Sequence, residues 1–283
     1  MNYPIYKMRD WIKPDKLIYT ELCMNINAVD YLLANKDKLC YSWISYNSNY
    51  KLIDLFENNQ NKINWSYLSM NSSAIELLLK NPDKIDWDYL SMNSSPKAIE
   101  LLEKYPDRIY WNVLNYNNNS SAIELLLKNP DKIIWTYLCK NENPKAIEFI
   151  KNNLDKVEWD VLSANSSAIE ILKKYPEKIN WNTFSSNSHN EAIEFLKKNP
   201  EKINWNYLSL NNNVEAMELL KKNPNKINWF NLSSNPSIFT LDYEQMRINN
   251  QQLEEELLQV VLHPQRVFRN MELYDYDLND MYD

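Results

Sequence analysis

The stretch KINWSYLSMNSSAIELLLKNPDK, residues 62–84, decides the fold because the chain repeats it. Its first half returns almost unchanged as KINWNYLSLN at residues 202–211. Self-similarity of this kind is typical of repeat proteins, whose units stack into one continuous core. The position of Trp65, called the Trp position below, recurs every 22 or 24 residues and defines ten repeats over residues 16–235. It holds Tyr19, Tyr41, Trp65, Trp87, Trp111, Trp135, Trp159, Trp181, Trp205 and Trp229.

The repeat changes length at only one place. Asn71 and Ala74 are three positions apart, whereas the equivalent Asn93 and Ala98 are five positions apart. Insertions that are tolerated at a single point mark a surface loop between two rigid elements. Each repeat therefore consists of an element A, a variable loop, an element B and a fixed loop.

Both elements have helical spacing. In element A, about residues 64–70, Trp65 and Leu68 are three residues apart and share one face, and element B, about residues 73–80, has the same spacing. The sequence predicts an all-α fold, a solenoid of about ten short helix-turn-helix repeats of 22–24 residues with capping helices at both ends. At ~9 Å per stacked layer, an open stack would be ~80 Å long.

An asparagine follows element A in every repeat. Helices often end on a residue in the left-handed conformation, and after glycine the commonest choice is asparagine. We therefore expect a C-cap, with side chains hydrogen-bonded between neighbouring repeats. The alternative is a polar ligand site built from this column. The column comprises Asn25, Asn47, Asn71, Asn93, Asn117, Asn141, Asn165, Asn187, Asn211 and Asn235.

Three further columns carry structural predictions. The Trp position is predicted to lie in the core. The residue four later is small, and Cys23 and Cys139 are therefore interpreted as packing residues rather than nucleophiles. In six repeats a Glu of element B precedes a Lys by four residues, as Glu76 precedes Lys80. This order predicts an ion pair within each exposed helix face.

The composition excludes several classes of function. The chain of 283 residues has no glycine, so it has no glycine-rich phosphate loop, dinucleotide fingerprint or nucleophile elbow. Three widely spaced cysteines match neither a disulfide framework nor a zinc site, and they favour a reducing compartment. We expect no signal peptide and no membrane span. A formal net charge of −7 argues against nucleic-acid binding through net charge.

The ends of the chain differ from its middle. Residues 1–15 are predicted to form an N-terminal cap or half-repeat, and residues 16–235 the helical repeat solenoid. Residues 236–271 are predicted to form C-terminal capping helices. Residues 272–283 are an acidic tail that is read either as a solvated terminus or as a docking peptide.

The repeat unit also resembles that of a known protein family. The pattern Trp-x-x-Leu-Ser-x-Asn, then Ala-Ile-Glu-Leu-Leu and Asn-Pro-Asp-Lys-Ile, resembles the asparagine-rich Trp-repeat proteins of giant DNA viruses of the mimivirus kind. The closing segments Asn235–Phe239 and His263–Arg266 resemble that family too. The resemblance implies a giant-virus protein in the infected host cell, and we expect it in the host cytoplasm, with the virion as the alternative. It implies no particular activity. Tyr19, Tyr41 and Leu154 depart from the pattern.

The leading functional hypothesis is a non-enzymatic scaffold that binds a protein or peptide partner. Positions two and five after the Trp position lie on one face of element A and are large and apolar in repeats 2–5 but small in repeats 7 and 8. Aromatic and methionine side chains are favoured at interfaces. The competing interpretation is that this face only packs on the next repeat. The predicted partner-binding residues are Trp43, Tyr46, Tyr67, Met70, Tyr89, Met92 and Tyr116.

The alternative function is RNA binding by a helical repeat protein. A column of Lys or Arg, with members Lys62 and Lys202, alternates with aromatic residues, but an acidic residue precedes many of its members and reduces its field. Nucleic acid is therefore the disfavoured partner. His189 and His263 have no catalytic or metal-ligand companions, so we expect no enzyme, no catalytic residue, no cofactor and no metal.

Overall fold

The computed structural model describes residues 4–261, 263 and 266, and it confirms the all-α solenoid. Each element A is a helix of four or six residues that begins at the Trp position, and these are the odd-numbered helices α1 to α19. The elements B are the even-numbered helices α2 to α18. In chain order the α-helices are α1 (Tyr19–Met24), α2 (Val29–Ala34), α3 (Tyr41–Ile44), α4 (Ile53–Glu57), α5 (Trp65–Met70), α6 (Ile75–Lys80), α7 (Trp87–Leu90), α8 (Pro96–Lys104), α9 (Trp111–Leu114), α10 (Ser120–Leu127), α11 (Trp135–Leu138), α12 (Pro144–Lys151), α13 (Trp159–Leu162), α14 (Ile169–Lys174), α15 (Trp181–Phe184), α16 (Asn190–Lys198), α17 (Trp205–Leu208), α18 (Val214–Lys222), α19 (Trp229–Ser234) and α20 (Tyr243–Val261).

The predicted loops are largely 3-10 turns. Most turns after an element B begin with proline. Proline suits the first position of a helical turn because an N–H there would have no partner within the turn. In the tenth repeat the turn Pro236–Ile238 and a strand follow α19 where an element B stands in the other repeats. The 3-10 turns are Pro14–Lys16, Ile26–Ala28, Lys36–Lys38, Tyr50–Leu52, Ser72–Ala74, Pro82–Lys84, Pro106–Arg108, Pro130–Lys132, Leu154–Lys156, Ser166–Ala168, Pro176–Lys178, Pro200–Lys202, Pro224–Lys226 and Pro236–Ile238.

The core runs through the repeats as columns of equivalent residues. The residue three after the Trp position is fully buried in every repeat, for example Leu68 and Leu138. Element B adds an alanine and a leucine, such as Ala98 and Leu102, which are also fully buried. Cys23 and Cys139 are buried in the small-residue column, which confirms their packing role.

The Trp position itself is not core, contrary to the prediction. All ten of its side chains are half-buried. Trp135 stacks on Phe149 with 5.7 Å between ring centroids, and the Lys156 ammonium lies 5.6 Å from the centroid of the Trp135 ring. The Trp135 side chain lies over the core rather than in it, because Leu138, three residues later, already fills the space between the helices.

The asparagine column joins neighbouring repeats through its side chains. Each Nδ2 donates to two backbone carbonyls of the preceding repeat, at 2.8–3.2 Å, and each Oδ1 accepts from the N–H two residues later, as Asn71 accepts from Ser73. The predicted bonds between repeats are confirmed. The predicted left-handed conformation is wrong, because Asn71 is extended with φ −77° and ψ 108°. Extended backbone turns the amide towards the preceding repeat.

The first and the last repeat are neighbours within the compact unit Met8–Phe239. Asn25 Nδ2 donates to the carbonyls of Ser233 at 3.2 Å and Asn235 at 2.8 Å, which are the bonds that link every other consecutive pair. The Ile18 N–H donates to Ser233 Oγ at 2.9 Å, as Asn64 N–H donates to Ser45 Oγ in the middle of the chain. The ten repeats of this unit therefore close into a ring. The predicted open stack, ~80 Å long, is therefore not formed. A small rotation from each repeat to the next accumulates along a solenoid and here brings its ends together.

Ion pairs on elements B also differ from the prediction. The Glu76 carboxylate pairs with Lys97 of the next repeat instead of Lys80, and Lys80 pairs with Glu57 of the preceding repeat at 3.1 Å. Stacking places the exposed faces of adjacent elements B side by side, which brings these charges together. Exposed pairs of this kind stabilise a protein by only about 0–1 kcal/mol each.

A second compact unit combines residues near both chain ends. The strands β1 (Tyr6–Met8) and β2 (Phe239–Leu241) form a two-stranded sheet. The Asp242 N–H donates to the Ile5 carbonyl at 2.8 Å, and the Asp242 carboxylate lies 3.5 Å from Lys7 Nζ. The 19-residue helix α20 follows. The predicted acidic tail, residues 272–283, lies outside the described residues.

Candidate protein-binding surface

The seven predicted partner-binding residues, called the aromatic face below, all lie outside the buried core. Tyr46 is 43% exposed, and the other six are half-buried. They project from the elements A of repeats 2–5, and in α5 and α7 the side chain before the helix caps its start. In α5, for example, the Asn64 side chain accepts a hydrogen bond from Tyr67 N–H at 3.0 Å. The aromatic face comprises Trp43, Tyr46, Tyr67, Met70, Tyr89, Met92 and Tyr116.

Several rings of the aromatic face touch across repeats. Trp43 stacks on Tyr67 with 5.4 Å between ring centroids, and Tyr67 meets Tyr89 edge-on at 5.9 Å. Tyr116 stacks on Tyr137 of the next repeat at 4.6 Å. Each such contact is worth about 0.5–1.5 kcal/mol beyond the area it buries, so the rings are held in fixed positions. Partial exposure and fixed geometry make them suitable anchors for a ligand.

Residues in repeats 6 and 9 extend this pattern and were missed from the sequence. Tyr137, Tyr207 and Leu210 occupy the same two positions after the Trp position, so the signal was present. Tyr207 is 38% exposed and Leu210 is 42% exposed. Because the ring brings repeat 10 next to repeat 1, these residues belong to the same circular series of positions. The series is interrupted at repeats 7 and 8 and again at repeat 10, where Asn231 and Ser234 occupy the two positions.

Most of the Lys and Arg column, considered above for phosphate contacts, makes contacts within the protein. Lys202 Nζ lies 4.2 Å from the centroid of the Trp181 ring, and Lys226 Nζ lies 4.4 Å from that of Trp205. In each case a cation of one repeat covers the Trp-position ring of the repeat before it. Lys132 pairs with the neighbouring carboxylate of Asp131 at 3.0 Å. The other cation–ring pairs of this type are Lys16 with Trp229, Lys38 with Tyr19, Lys62 with Tyr41, Arg108 with Trp87 and Lys156 with Trp135.

The remaining chemical candidates have structural roles. His189 begins α16, where its Nδ1 accepts from the Glu191 N–H at 3.2 Å. Burial raises the pKa of the Cys23 and Cys139 thiols, which lowers the thiolate fraction at neutral pH. Within the described part of the chain, no group of three or more His, Cys, Asp or Glu residues could hold a metal ion.

A separate surface cleft of about 810 Å³ lies between the elements B of repeats 6 and 7. Ile147, Leu154 and Tyr175 supply its apolar lining, and Glu148 and Lys174 are among its charged residues. Leu154 replaces the proline found at most equivalent turns. The cleft belongs to the opposite element of the repeat from the aromatic face.

Among the helices of the described residues, none combines the length and the apolar composition needed to cross a bilayer. A scan against protein-family models, a search of curated proteins and a search of solved structures each returned no match.

Proposed function

We propose that this protein is a non-enzymatic scaffold that binds a protein or peptide partner through the aromatic face. The observation that carries the proposal is the contrast between repeats at equivalent positions. Repeats 7 and 8 pack with Val161, Ala164, Thr183 and Ser186 at the two positions that hold large rings or methionines in repeats 2–4. Helix packing therefore does not require the aromatic side chains, and partly exposed aromatic residues are the commonest anchors of protein interfaces.

The charge distribution supports a protein partner over RNA. Single-stranded nucleic acid binds where aromatic rings are combined with a positive groove that follows the phosphates. Here seven cations of the repeat column lie over aromatic rings, and the chain carries a net charge of −7. The proposed setting, from the resemblance of the repeat unit, is the cytoplasm of a cell infected by a giant virus.

A photo-cross-linking experiment with matched positions tests the proposal. The photoreactive residue p-benzoylphenylalanine replaces Tyr46 in one variant and Ser186, the equivalent position of repeat 8, in the other. We expect specific protein adducts from infected-cell lysate at position 46 and few at position 186. Equal adducts at the two positions, or none at position 46, would contradict the proposal.

A second pair of variants distinguishes a loss of binding from a loss of folding. The same variants also distinguish a protein partner from an RNA partner. Tyr67→Ala should reduce partner capture while Thr183→Ala, at the equivalent position, leaves it unchanged, and both should retain the helical circular-dichroism spectrum. The same proteins are titrated with mixed-sequence RNA at several salt concentrations. Tight binding that weakens steeply with salt would favour the RNA alternative.

A further inference from the structure

One member of the circular series of element A positions is a carboxylate. Glu21 in α1 lies two residues after Tyr19, as Trp43 lies two after Tyr41 and Tyr67 two after Trp65. The Glu21 side chain is half-buried, and among the described residues it makes no hydrogen bond or ion pair. Burial raises its pKa, and no neighbouring cation acts in the opposite direction. A partly desolvated carboxylate without a counter-ion is an unfavourable arrangement unless a ligand supplies one.

The position of Glu21 places it at the end of the aromatic face. Helix α1 packs against α3, the helix that carries Trp43. Side chains at this position touch in the next repeats along the chain, where Trp43 stacks on Tyr67 at 5.4 Å and Tyr67 meets Tyr89 at 5.9 Å. On the other side, α1 packs against α19, whose residue at this position is the neutral Asn231. The Asn231 amide donates to the Asn206 carbonyl at 2.9 Å. Glu21 therefore occupies the position next to that of Trp43 in the circular series, and α19 supplies no competing charge at its own position.

Aromatic rings elsewhere in this protein are commonly covered by a cation. Lys140 Nζ lies 5.5 Å from the centroid of Tyr116, which is itself part of the aromatic face. Within the described residues, no Lys or Arg covers Trp43, Tyr67 or Tyr89. The end of the aromatic face next to Glu21 thus has rings that no cation covers and an unpaired carboxylate, whereas the end at Tyr116 carries its own cation.

We propose that this end of the aromatic face binds the side chain of an arginine from a partner peptide. The guanidinium stacks on Trp43 and forms a charge-assisted hydrogen bond with the Glu21 carboxylate. Arginine suits the site because its planar cation both stacks on aromatic rings and pairs with carboxylates. The net charge of −7 also attracts a basic segment. This inference rests on the proposed function and names the class of partner.

Two matched peptide arrays provide the test. In one array every pentapeptide has arginine at its centre and varied flanking residues, and in the other citrulline replaces that arginine. Citrulline has nearly the same shape and no charge. The wild-type protein should bind a subset of the arginine peptides at least about tenfold more tightly than their citrulline counterparts. Equal binding to both arrays, or binding to neither, would overturn the proposal.

Two isosteric variants locate the effect on the protein. Glu21→Gln removes the proposed counter-ion and should weaken the selected arginine peptides about tenfold. Glu218→Gln, on the exposed face of α18, changes the net charge equally and should alter binding less than about twofold. An equal loss in both variants would show a general charge effect and refute the site. Glu21→Gln removes a desolvated charge, so its melting temperature should not fall.

Cross-linking distinguishes this inference from the proposed function. If position 46 yields protein adducts and Glu21→Gln leaves both the adducts and the peptide binding unchanged, the arginine site is refuted and the scaffold proposal stands. If position 46 yields no adducts, the proposed function fails and this inference fails with it.

Discussion

At the residue scale, each asparagine of the column forms hydrogen bonds with backbone groups of two neighbouring repeats. The Asn141 side chain satisfies two carbonyls of the preceding repeat, at 3.0 and 3.1 Å, and the Asn143 N–H at 2.9 Å. An amide has two donor hydrogens and an acceptor oxygen, whereas a carboxylate has no donor and a serine has only one. The position of the column and its bonds between repeats could be predicted from the sequence. Its extended backbone could not, because the left-handed and extended conformations both suit asparagine at a helix end.

Leucine and tryptophan of one helix should differ in their contribution to stability. Leu138→Ala should lower the free energy of unfolding by about 2–5 kcal/mol, because it leaves a cavity in the buried core. Trp135→Ala should cost less, about 1–2 kcal/mol, since its half-buried ring leaves a space that water can enter. Urea unfolding followed by circular dichroism measures both. A larger loss for Trp135→Ala would show that the ring belongs to the core.

The three cysteines should react at different rates. Iodoacetamide should modify the half-buried Cys40 first, because Cys23 and Cys139 are fully buried and burial raises the pKa of their thiols. Mass spectrometry of peptides after timed labelling gives each rate. In denaturant all three should react alike, which controls for peptide recovery. Rapid native labelling of Cys139 would contradict the packing role.

Helix and turn combine into a fixed unit at the element scale. A 3-10 turn follows element B both with proline, as at Pro82, and without it, as at Lys36 and Leu154, although the turn after α4 has no 3-10 segment. The preceding residues have similar backbone angles, φ −130° at Asn81 and φ −124° at Asn35. The surrounding repeat, rather than proline alone, therefore determines the turn.

Proline should be accepted where the turn lacks it. Lys36→Pro should stabilise the protein by about 0.4–1 kcal/mol, because the exposed residue already follows a backbone suited to proline and the unfolded chain loses freedom. Lys38→Pro should destabilise it, since the Lys38 N–H donates to the Asn35 carbonyl at 3.0 Å. Differential scanning calorimetry compares the two variants. A lower melting temperature for Lys36→Pro would contradict this account of the turn.

At this scale the sequence correctly predicted where a helix begins and ends within a repeat, but it did not predict the ion pairs between repeats. The predicted element A, residues 64–70, agrees with α5 to one residue at its start, because a local apolar spacing and a cap determine it. The predicted pair of Glu76 with Lys80 failed because each charge finds a partner on the adjacent helix. A pattern along one helix contains no information about the lateral position of its neighbour.

Closure of the repeats is the main feature of the unit Met8–Phe239. In an open stack the first repeat would have no predecessor, and Asn25 would have no carbonyls to bind. The presence of Asn25 at the first repeat was therefore a signal of closure that the sequence offered. The ring itself could not be predicted from the columns, because it depends on a small rotation per repeat that no single residue specifies.

Asparagine substitutions at the seam and in the middle of the chain test closure directly. Asn25→Ala and Asn141→Ala should each lower the free energy of unfolding by about 1–3 kcal/mol, because each removes the same set of buried hydrogen bonds. Chemical denaturation compares the two. A seam variant as stable as the wild type, beside a strongly destabilised Asn141→Ala, would show that the first and last repeats are not bonded in solution.

The bonds between Asn25 and the tenth repeat also limit how this gene could change its length. An open solenoid gains or loses a unit at little cost, since only one junction is altered. Here ten units share a full turn, about 36° each, and an eleventh would require about 33° at every junction. Duplication or deletion of one unit would thus strain all the others at once. Copy number in this protein is a property of the whole circle, and it can change only if the tilt of every unit changes with it.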